Sequence, residues 1–439
     1  MTHSFVVDLL SRVEGEGGLK VVVQDGSVEE VALNIFEPPR FFEAFLVGRA
    51  YQEVPDITAR ICGICPVAYQ MTACAAIEDA LRSAGGDAAE LAPAYEVRQL
   101  RRLLYCGEWL QSHALHVYFL HAPDFLGCND AVALAGTDPA ALQRGVALKK
   151  TGNLVMKTVG ARAIHPVNVR VGGFYRAPGA EAIRALAGPL QDALEASLKT
   201  LEWVSRFDFP SLENDYLFVA LRGEGCYPID SGPVASSAGH EWSPAEFAEA
   251  AVEEHVARST ALHARLFGRS PYLTGPLARY ALNSSSLSPL AKAAARDAGL
   301  GPVCRNPFQS IVVRAVEMVV ACEEALRIVS SYTAPAEPAA PLPSAAPGQV
   351  LVGTGATEAP RGLLLHRYEI KDGLVTKARI MPPTSQNQLS IEADLRAVVG
   401  AGLHLAHDEL THRAEMAVRN HDPCISCAAH FLDIEVQHR

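Results

Sequence analysis

The chain lacks any apolar run as long as the roughly 18 residues that a membrane-spanning helix needs. Its first residues, MTHSFVVDLLSRVEGEG, have no basic start followed by a long apolar stretch, so we do not expect a signal peptide. A cytoplasmic location is the expectation that follows. The net charge of -11 argues against nucleic acid or an anionic membrane surface as a partner.

Several other patterns are also missing. The 439 residues contain no G-x-G-x-x-G dinucleotide fingerprint, no internal repeat and no cysteine spacing typical of an iron–sulfur cluster beyond two C-x-x-C pairs. Without an export signal, the ten cysteines do not indicate a disulfide scaffold. Hydrophobic residues make up 49% and charged residues 20%, which predicts a large buried core. We expect one domain over residues 1–439.

The apolar spacing predicts a mainly α fold with small β elements, of the α+β class. Asp-Gly turns predict an N-terminal hairpin from residues 19–23 and 28–35 and a C-terminal hairpin from residues 362–370 and 374–380. A short strand is expected at 218–221. Helical spacing covers 67–83, 92–115, 181–207, 245–267, 312–332, 391–403 and 410–418. The Ala/Pro-rich segment 333–348 predicts an extended surface connection.

Two cysteine pairs near opposite ends of the chain form the strongest chemical signal. Cys62 and Cys65 lie in RICGICP, and Cys424 and Cys427 lie in DPCISCAAH. Each pair is next to a proline suited to a helix start, where the helix dipole favours the metal-binding thiolate. Either pair alone could be a redox dithiol or half of a zinc site. Zinc ribbons place their pairs about 15–20 residues apart, so the wide separation here disfavours a local zinc module.

Both cysteine motifs resemble the paired signatures of nickel–iron hydrogenase large subunits. Further segments similar to that family lie before the first cysteine motif and between the two motifs, in the family's order. Together they span nearly the whole chain. They are SRVEGEG at 11–17, RFFEAFLVGR at 40–49, SHALHVYFLHAPDF at 112–125, GARAIHPVNVRVGG at 160–173, EAPRGLLLHRYEI at 358–370 and MPPTSQN at 381–387.

The resemblance implies a nickel–iron centre that cleaves dihydrogen heterolytically and reversibly. In such proteins four thiolates hold nickel, and two of them bridge to an iron that carries carbon monoxide and cyanide. On the matching positions Cys62 and Cys424 would be terminal ligands, and Cys65 and Cys427 would bridge the metals. Cys424 would also accept the proton released from dihydrogen.

Other roles carry over to matching positions. Glu14 would relay the proton outward, and Arg361 would face the open metal position with its rigid fork of donors. Thr384, with the backbone after Pro383, would donate hydrogen bonds to cyanide, because diatomic ligands in a dry pocket need donors. Asp422 would pair with an arginine near the site.

The resemblance also implies a magnesium-type site made by Glu43, His430 and the carbonyl of Ile380. At two positions the chain departs from many family members, which have histidine where Tyr69 and Glu16 stand. Tyrosine can still donate to a bridging sulfur, but it cannot carry a proton as imidazole does. These variants are similar to the cytoplasmic NAD(P)-coupled hydrogenases, also called sulfhydrogenases.

Electrons would have to leave through other chains. The resemblance implies an iron–sulfur small subunit, and further flavin- and NAD(P)-binding subunits. The helices around His113 and His116 would face that partner, unless both are buried, hydrogen-bonded histidines. The family also implies a maturation endopeptidase that cuts after His430 and removes a C-terminal extension, here 431–439.

Chains related to this family also serve two other functions. A hydrogen sensor would keep the same centre and signal to a kinase, and it differs from an enzyme in its turnover and its partner. A scaffold subunit, as in respiratory complex I, would lack the full cysteine set, whereas this chain keeps all four.

Overall fold

The computed structural model describes residues 2–85, 92–223, 225–343 and 345–429. The fold is α+β, as predicted: long helices form the centre, and the strands form small antiparallel sheets. Within the described residues, no helix combines the length and the apolar character needed to cross a membrane.

Strands pair only with antiparallel neighbours in the three-stranded sheets and the two-stranded ribbons. The strands are β1 Thr2–Val7, β2 Gly17–Gln24, β3 Ser27–Ile35, β4 Val169–Arg170, β5 Gly173–Phe174, β6 Val219–Leu221, β7 Val234–Ser236, β8 Glu241–Trp242, β9 Ala251–Glu254, β10 His263–Leu266, β11 Val350–Ala359, β12 Gly362–Lys371 and β13 Leu374–Met381.

Helices fill most of the remaining chain. They are α1 Phe42–Leu46, α2 Val54–Thr58, α3 Pro66–Arg82, α4 Tyr95–Leu115, α5 Ala122–Phe125, α6 Ala131–Thr137, α7 Pro139–Gly160, α8 Ala180–Arg184, α9 Ala187–Val204, α10 Pro244–Ala250, α11 Pro276–Asn283, α12 Pro289–Asp297, α13 Ser310–Ser331, α14 Pro383–Ala401, α15 His407–Arg419 and α16 Ile425–Ala428.

Each predicted hairpin exists but belongs to a sheet of three strands. β1 pairs with β2 at the N-terminal sheet, and β11 pairs with β12 at the C-terminal sheet. Neither added strand was predicted. β11 has the sequence VLVGTGATEA, whose two internal glycines lower its strand propensity. Pairing with β12 along the whole strand compensates for that weak local preference.

The helix predicted over 245–267 is wrong beyond its first part. α10 ends at Ala250, and the chain then forms the ribbon of β9 and β10, with Ala251 opposite Leu266. Long-range pairing thus overrides the local helical spacing. The segment predicted at 181–207 is divided into α8 and α9, and α7 was not predicted.

The core lies between the long helices. α4 packs along α7 and α13, and α13 also packs against α9. α3, which starts directly after Cys65, packs on β11 and β12. α14 lies against β3 of the N-terminal sheet and so brings the two ends of the chain together.

At two glycines of β11, the strand touches the backbone of α3. A Cβ at Gly353 would lie 2.1 Å from the carbonyl oxygen of Ala76, and one at Gly355 would lie 2.5 Å from the amide nitrogen of the same residue. Helix and strand therefore approach more closely than any side chain would allow.

We expect Gly353→Ala to lower the free energy of unfolding by about 1–3 kcal/mol, because the added methyl group forces α3 away from β11. Gly188→Ala is the matched control, since Gly188 lies in α9 with no neighbour within 4 Å of a built Cβ. It should leave stability unchanged or raise it by up to about 1 kcal/mol. Chemical unfolding of both variants measures the difference, and equal stabilities would contradict the close contact.

Candidate metal centre

Four cysteine side chains that are remote in sequence meet in one buried place. The sulfurs of Cys62, Cys65, Cys424 and Cys427 all lie within 4.8 Å of one another. Cys62 Sγ is 3.5 Å from Cys424 Sγ, and Cys65 Sγ is 3.7 Å from Cys427 Sγ, although 362 residues separate the members of each pair. Metal–thiolate bonds are about 2.3 Å long, so sulfurs at these separations can share a metal.

The start of α3 sets the position of the first cysteine pair, Cys62 and Cys65. Cys65 is the residue that precedes Pro66, and Pro66 begins the helix as predicted. Glu108 on α4 accepts hydrogen bonds from the amides of Val67 at 2.6 Å and Ala68 at 3.0 Å. This carboxylate satisfies free amides at the helix N-terminus, where no capping side chain is present. The sequence analysis did not identify Glu108.

The second pair lies at the start of the short helix α16, with Cys424 directly before the helix and Cys427 within it. Asp422 has a positive φ of 51°, which turns the chain before Pro423. Glu14 accepts a backbone hydrogen bond from Ile425 at 3.0 Å, and Thr384 Oγ1 accepts one from the amide of Cys424 at 2.9 Å. The N-terminal segment and the start of α14 therefore hold the C-terminal motif in place.

Arg40 connects the two cysteine motifs directly. Its Nη2 donates to the carbonyl of Ile61 at 2.7 Å and to the carbonyl of Ser426. Its own amide donates to Ala429 O at 2.9 Å. The carbonyls it joins precede Cys62 and Cys427, so one side chain sets the distance between the two motifs. Its only sequence signal was its place in the RFFEAF segment.

The electrostatics of the four thiols favour a bound cation. Hydrogen bonds with neighbouring thiols, Cys424 first among them, hold the pKa of Cys62 well below its ordinary value. Burial raises the pKa of Cys424 and of Cys427. Four thiolates cannot be buried together without compensation, because each unpaired buried charge is costly. A metal that replaces the thiol protons supplies that compensation.

Arg361 lies beside the thiols at the turn between β11 and β12. Its Nε donates to Asp422 O at 2.9 Å, and its Nη2 contacts Asp422 Oδ1 at 3.0 Å. Its buried Nη1 and Asp422 Oδ2 have no hydrogen-bond partner in the described structure. Burial alone would lower the pKa of Arg361, but Asp422 and the thiolates outweigh it and raise the pKa further. A charged donor is therefore free for a ligand.

Glu14 reaches the thiols from the other side. Its Oε2 accepts a hydrogen bond from the amide of Ser426 at 3.1 Å, and its backbone forms a parallel bridge with Cys424. Burial, and then the Cys62 thiolate, raise the pKa of Glu14. A carboxyl with a raised pKa next to a thiol is suited to proton transfer.

Tyr69 lies one turn into α3 and faces the sulfurs. Burial first, and then the thiolates of Cys427 and Cys65, raise the pKa of Tyr69 well above its usual value. The phenol therefore keeps its proton and remains a donor. Its ring packs against the ring of His366, with centroids 5.6 Å apart.

The predicted magnesium ligands lie partly together. Glu43 Oε1 accepts a hydrogen bond from the amide of Ile380 at 2.6 Å, so these two residues are neighbours. His430 lies outside the described residues. Pro383 and Thr384 begin α14 beside the second cysteine motif.

The chain itself buries the side chains of both histidines, His113 and His116. That the helices around them face a partner subunit stays a prediction. His113 Nε2 lies 2.9 Å from Glu317 Oε2, and His116 Nε2 lies 2.8 Å from Arg419 O. His113 lies on α4, and His116 directly follows its end. Both side chains are therefore buried, and His116 is hydrogen-bonded to the backbone of Arg419.

The fold and the site define a protein with a buried four-thiol cluster that could hold a metal, and this geometry by itself would suit zinc as well as nickel. Comparison with known proteins decides between these two metals. A sequence profile of the family described as "Nickel-dependent hydrogenase" matches residues 40–177 and 259–430. The chain belongs to this family and is a catalytic large subunit, an oxidoreductase that acts on hydrogen.

Similar proteins cover almost the whole chain. Sulfhydrogenase 1 subunit alpha of Pyrococcus furiosus is 32% identical over 435 residues, which is 97% of each chain. The NAD-reducing hydrogenase HoxS subunit beta of Cupriavidus necator is 29% identical over 98% of this chain and 96% of its own. A solved NAD+-reducing [NiFe]-hydrogenase in the H2-reduced state superimposes with a TM-score of 0.86 at 25% identity, covering 98% and 99% of the two chains.

Replacing any one of the four clustered cysteines by serine should reduce bound nickel to background, because a hard hydroxyl is a poor ligand for a thiolate-bound metal. Cys74→Ala is the control: Cys74 is also buried, on α3, but lies outside the cluster. Elemental analysis of nickel per purified chain gives the result. Full nickel content in Cys65→Ser would rule out this site.

Proposed function

We propose that this chain cleaves dihydrogen heterolytically and reversibly, and that its electrons pass to an iron–sulfur partner subunit and on to NAD(P). The observation that carries the proposal is the buried thiol cluster with a proton-accepting carboxyl on one side and a free guanidinium donor on the other. Both groups are what a heterolytic reaction needs beside a metal.

A nickel–iron pair would fit this pocket. We assign Cys62 and Cys424 as terminal nickel ligands and Cys65 and Cys427 as bridges to iron. When bound, such a centre supplies a Lewis-acidic position at which dihydrogen is polarised. Cys424 would accept the proton, since burial raises its pKa, and Glu14 would pass that proton toward the surface.

The polar groups around the thiols support cyanide and carbon monoxide as iron ligands. The unpartnered Nη1 of Arg361 is a buried donor without an acceptor, and such groups are rare unless a ligand satisfies them. Thr384, at the start of α14 after Pro383, would add its hydroxyl or backbone as a second donor. Its hydroxyl already accepts from the Cys424 amide, so its own proton remains available to donate.

A divalent ion such as magnesium is proposed beside Glu43 and Ile380, with His430 as a further ligand. The carboxylate and the Ile380 backbone are neighbours, and oxygen ligands suit this ion.

The partner chains follow from the relatives. The HoxS protein is described as NAD-reducing and as a subunit, and the similar solved structure is an NAD+-reducing hydrogenase. We propose an iron–sulfur small subunit, flavin- and NAD(P)-binding subunits, and work in the cytoplasm, where NAD(P) is used. A maturation endopeptidase that removes residues 431–439 is also proposed.

Glu14→Gln should lower hydrogen-dependent turnover by about 10²–10⁴-fold, because the amide cannot take the proton that the carboxyl relays. Nickel and iron content should stay at wild-type values. Glu16→Gln is the control, since Glu16 is exposed two positions further along the chain. Turnover near the wild-type value in Glu14→Gln would exclude this carboxyl as the relay.

Purified complex under hydrogen should reduce NAD+ or NADP+ continuously, and infrared spectra should contain bands of iron-bound cyanide and carbon monoxide. Sustained reduction needs a path for electrons out of this chain, because its sequence contains no dinucleotide fingerprint and no iron–sulfur spacing beyond the two C-x-x-C pairs. Stoichiometric reduction without sustained turnover would instead indicate a hydrogen sensor. A zinc-loaded chain without diatomic bands would overturn the proposal.

A further inference from the structure

The turn that carries Arg361 is held by a second, fully buried arginine. Arg279 on α11 donates from Nη1 to Ala359 O and from Nη2 to Pro360 O, each at 2.8 Å. These carbonyls belong to the two residues immediately before Arg361. Arg279 thus binds the backbone of the turn and not the side chain that faces the thiols.

Every N–H group of Arg279 has an acceptor. Nε and Nη2 donate to the two oxygens of Glu317, each at 2.7 Å, and Nη1 also donates to Glu358 Oε2 at 3.0 Å. Together with the two carbonyls these bonds use all five donors of the guanidinium. The guanidinium also lies 4.5 Å from the ring centre of Trp109. Its position is therefore fixed from several directions.

The acceptors are themselves anchored. Tyr227 donates to Glu317 Oε1 at 2.8 Å, and His113 lies 2.9 Å from Glu317 Oε2. Burial alone would raise the pKa of Glu317, but Arg279 overrides this and lowers it to about 2. The carboxylate therefore stays charged and keeps Arg279 in a bidentate pair, the strongest common hydrogen-bond geometry.

Other contacts also restrain the backbone of the turn that carries Arg361. A Cβ at Gly275, directly before α11, would lie 2.7 Å from Arg361 O, so the helix start touches the backbone of Arg361 itself. Glu358, at the other side of the turn, accepts from Leu221 N at 2.7 Å and from Trp109 Nε1 through its carbonyl at 3.0 Å. The backbone at Arg361 has little freedom to move.

Arg361 needs this restraint. The described polar contacts of its side chain are to Asp422, which lies in the irregular loop of the second cysteine motif. A shift of about 1 Å in a group that acts on a reacting centre can cost on the order of 100-fold in rate. Because the Arg361 side chain is long, accurate placement of its guanidinium requires a rigid backbone at this residue.

We propose that Arg279, aimed by Glu317, is a positioning residue that fixes the backbone of Arg361 and thereby the placement of the Arg361 guanidinium over the metal centre. The inference rests on the role proposed above for Arg361. Arg279 itself touches neither the thiols nor a reacting atom.

The test uses the assembled hydrogenase complex with Arg279→Lys. Lysine keeps the charge but cannot form the planar fork that reaches both carbonyls and Glu317. We expect nickel and iron to remain bound, kcat to fall on the order of 100-fold with a smaller change in KM, and the infrared bands of iron-bound cyanide to shift or broaden. Hydrogen–deuterium exchange of the 359–362 amides should become faster.

Arg101→Lys is the matched control. Arg101 is also largely buried, forms a bidentate pair with Glu78 and donates to the carbonyl of Arg170, but none of these contacts is with the turn. It should cost comparable stability and leave the cyanide bands and KM unchanged. The proposal is overturned if Arg279→Lys keeps wild-type bands and turnover, or if both variants change the bands alike.

Two further variants complete the test. If Arg279→Lys fails to fold, Glu317→Gln serves instead: it keeps Arg279 but weakens its bidentate pair, and wild-type bands and turnover in this variant would also overturn the proposal. Arg361→Lys distinguishes the proposed role of Arg361 from the proposed positioning role of Arg279. Normal bands and turnover in Arg361→Lys refute the role of Arg361 itself, whereas an altered Arg361→Lys beside a normal Arg279→Lys refutes only the positioning role.

Discussion

Burying four thiols in one pocket creates a strong demand for positive charge. The sulfurs lie within 4.8 Å of one another, and none of the four residues is more than 3% exposed. Without a metal the protein can tolerate this only by keeping most of the thiols protonated, and the raised pKa of Cys424 shows that tendency. The surrounding polar contacts are arranged around that demand.

Those contacts come from distant parts of the chain. Four residues form hydrogen bonds with the C-terminal motif: Glu14 of the N-terminal segment, Arg40 of the segment before α1, Arg361 of the β11–β12 turn and Thr384 of α14. These hydrogen bonds, most of them to backbone atoms of the motif, add to its apolar contacts, since Ile425 and Ala428 pack with Ile35 and Ala261. α16 is only one turn long, and its position depends on these partners.

The sequence predicted the features that depend on local chemistry. Pro66 begins a helix, and Asp372-Gly373 closes a hairpin, because each is governed by residues within a few positions. Resemblance to the family predicted the cysteine cluster and its neighbours. Features set by long-range pairing could not be read in this way: the ribbon of β9 and β10 has helical spacing, and the capping role of Glu108 depends on where α4 lies relative to α3.

The glycine contacts beneath α3 have a mechanical consequence. At Gly353 and Gly355 the strand meets the backbone of the helix directly, so at these two points no rotatable side chain lies between them to absorb a displacement. Ala76 lies about three turns from Cys65 along the same helix. A disturbance of β11 is therefore transmitted along α3 as a rigid movement, so the location of Cys65 Sγ is determined by a sheet that contributes no ligand to the centre.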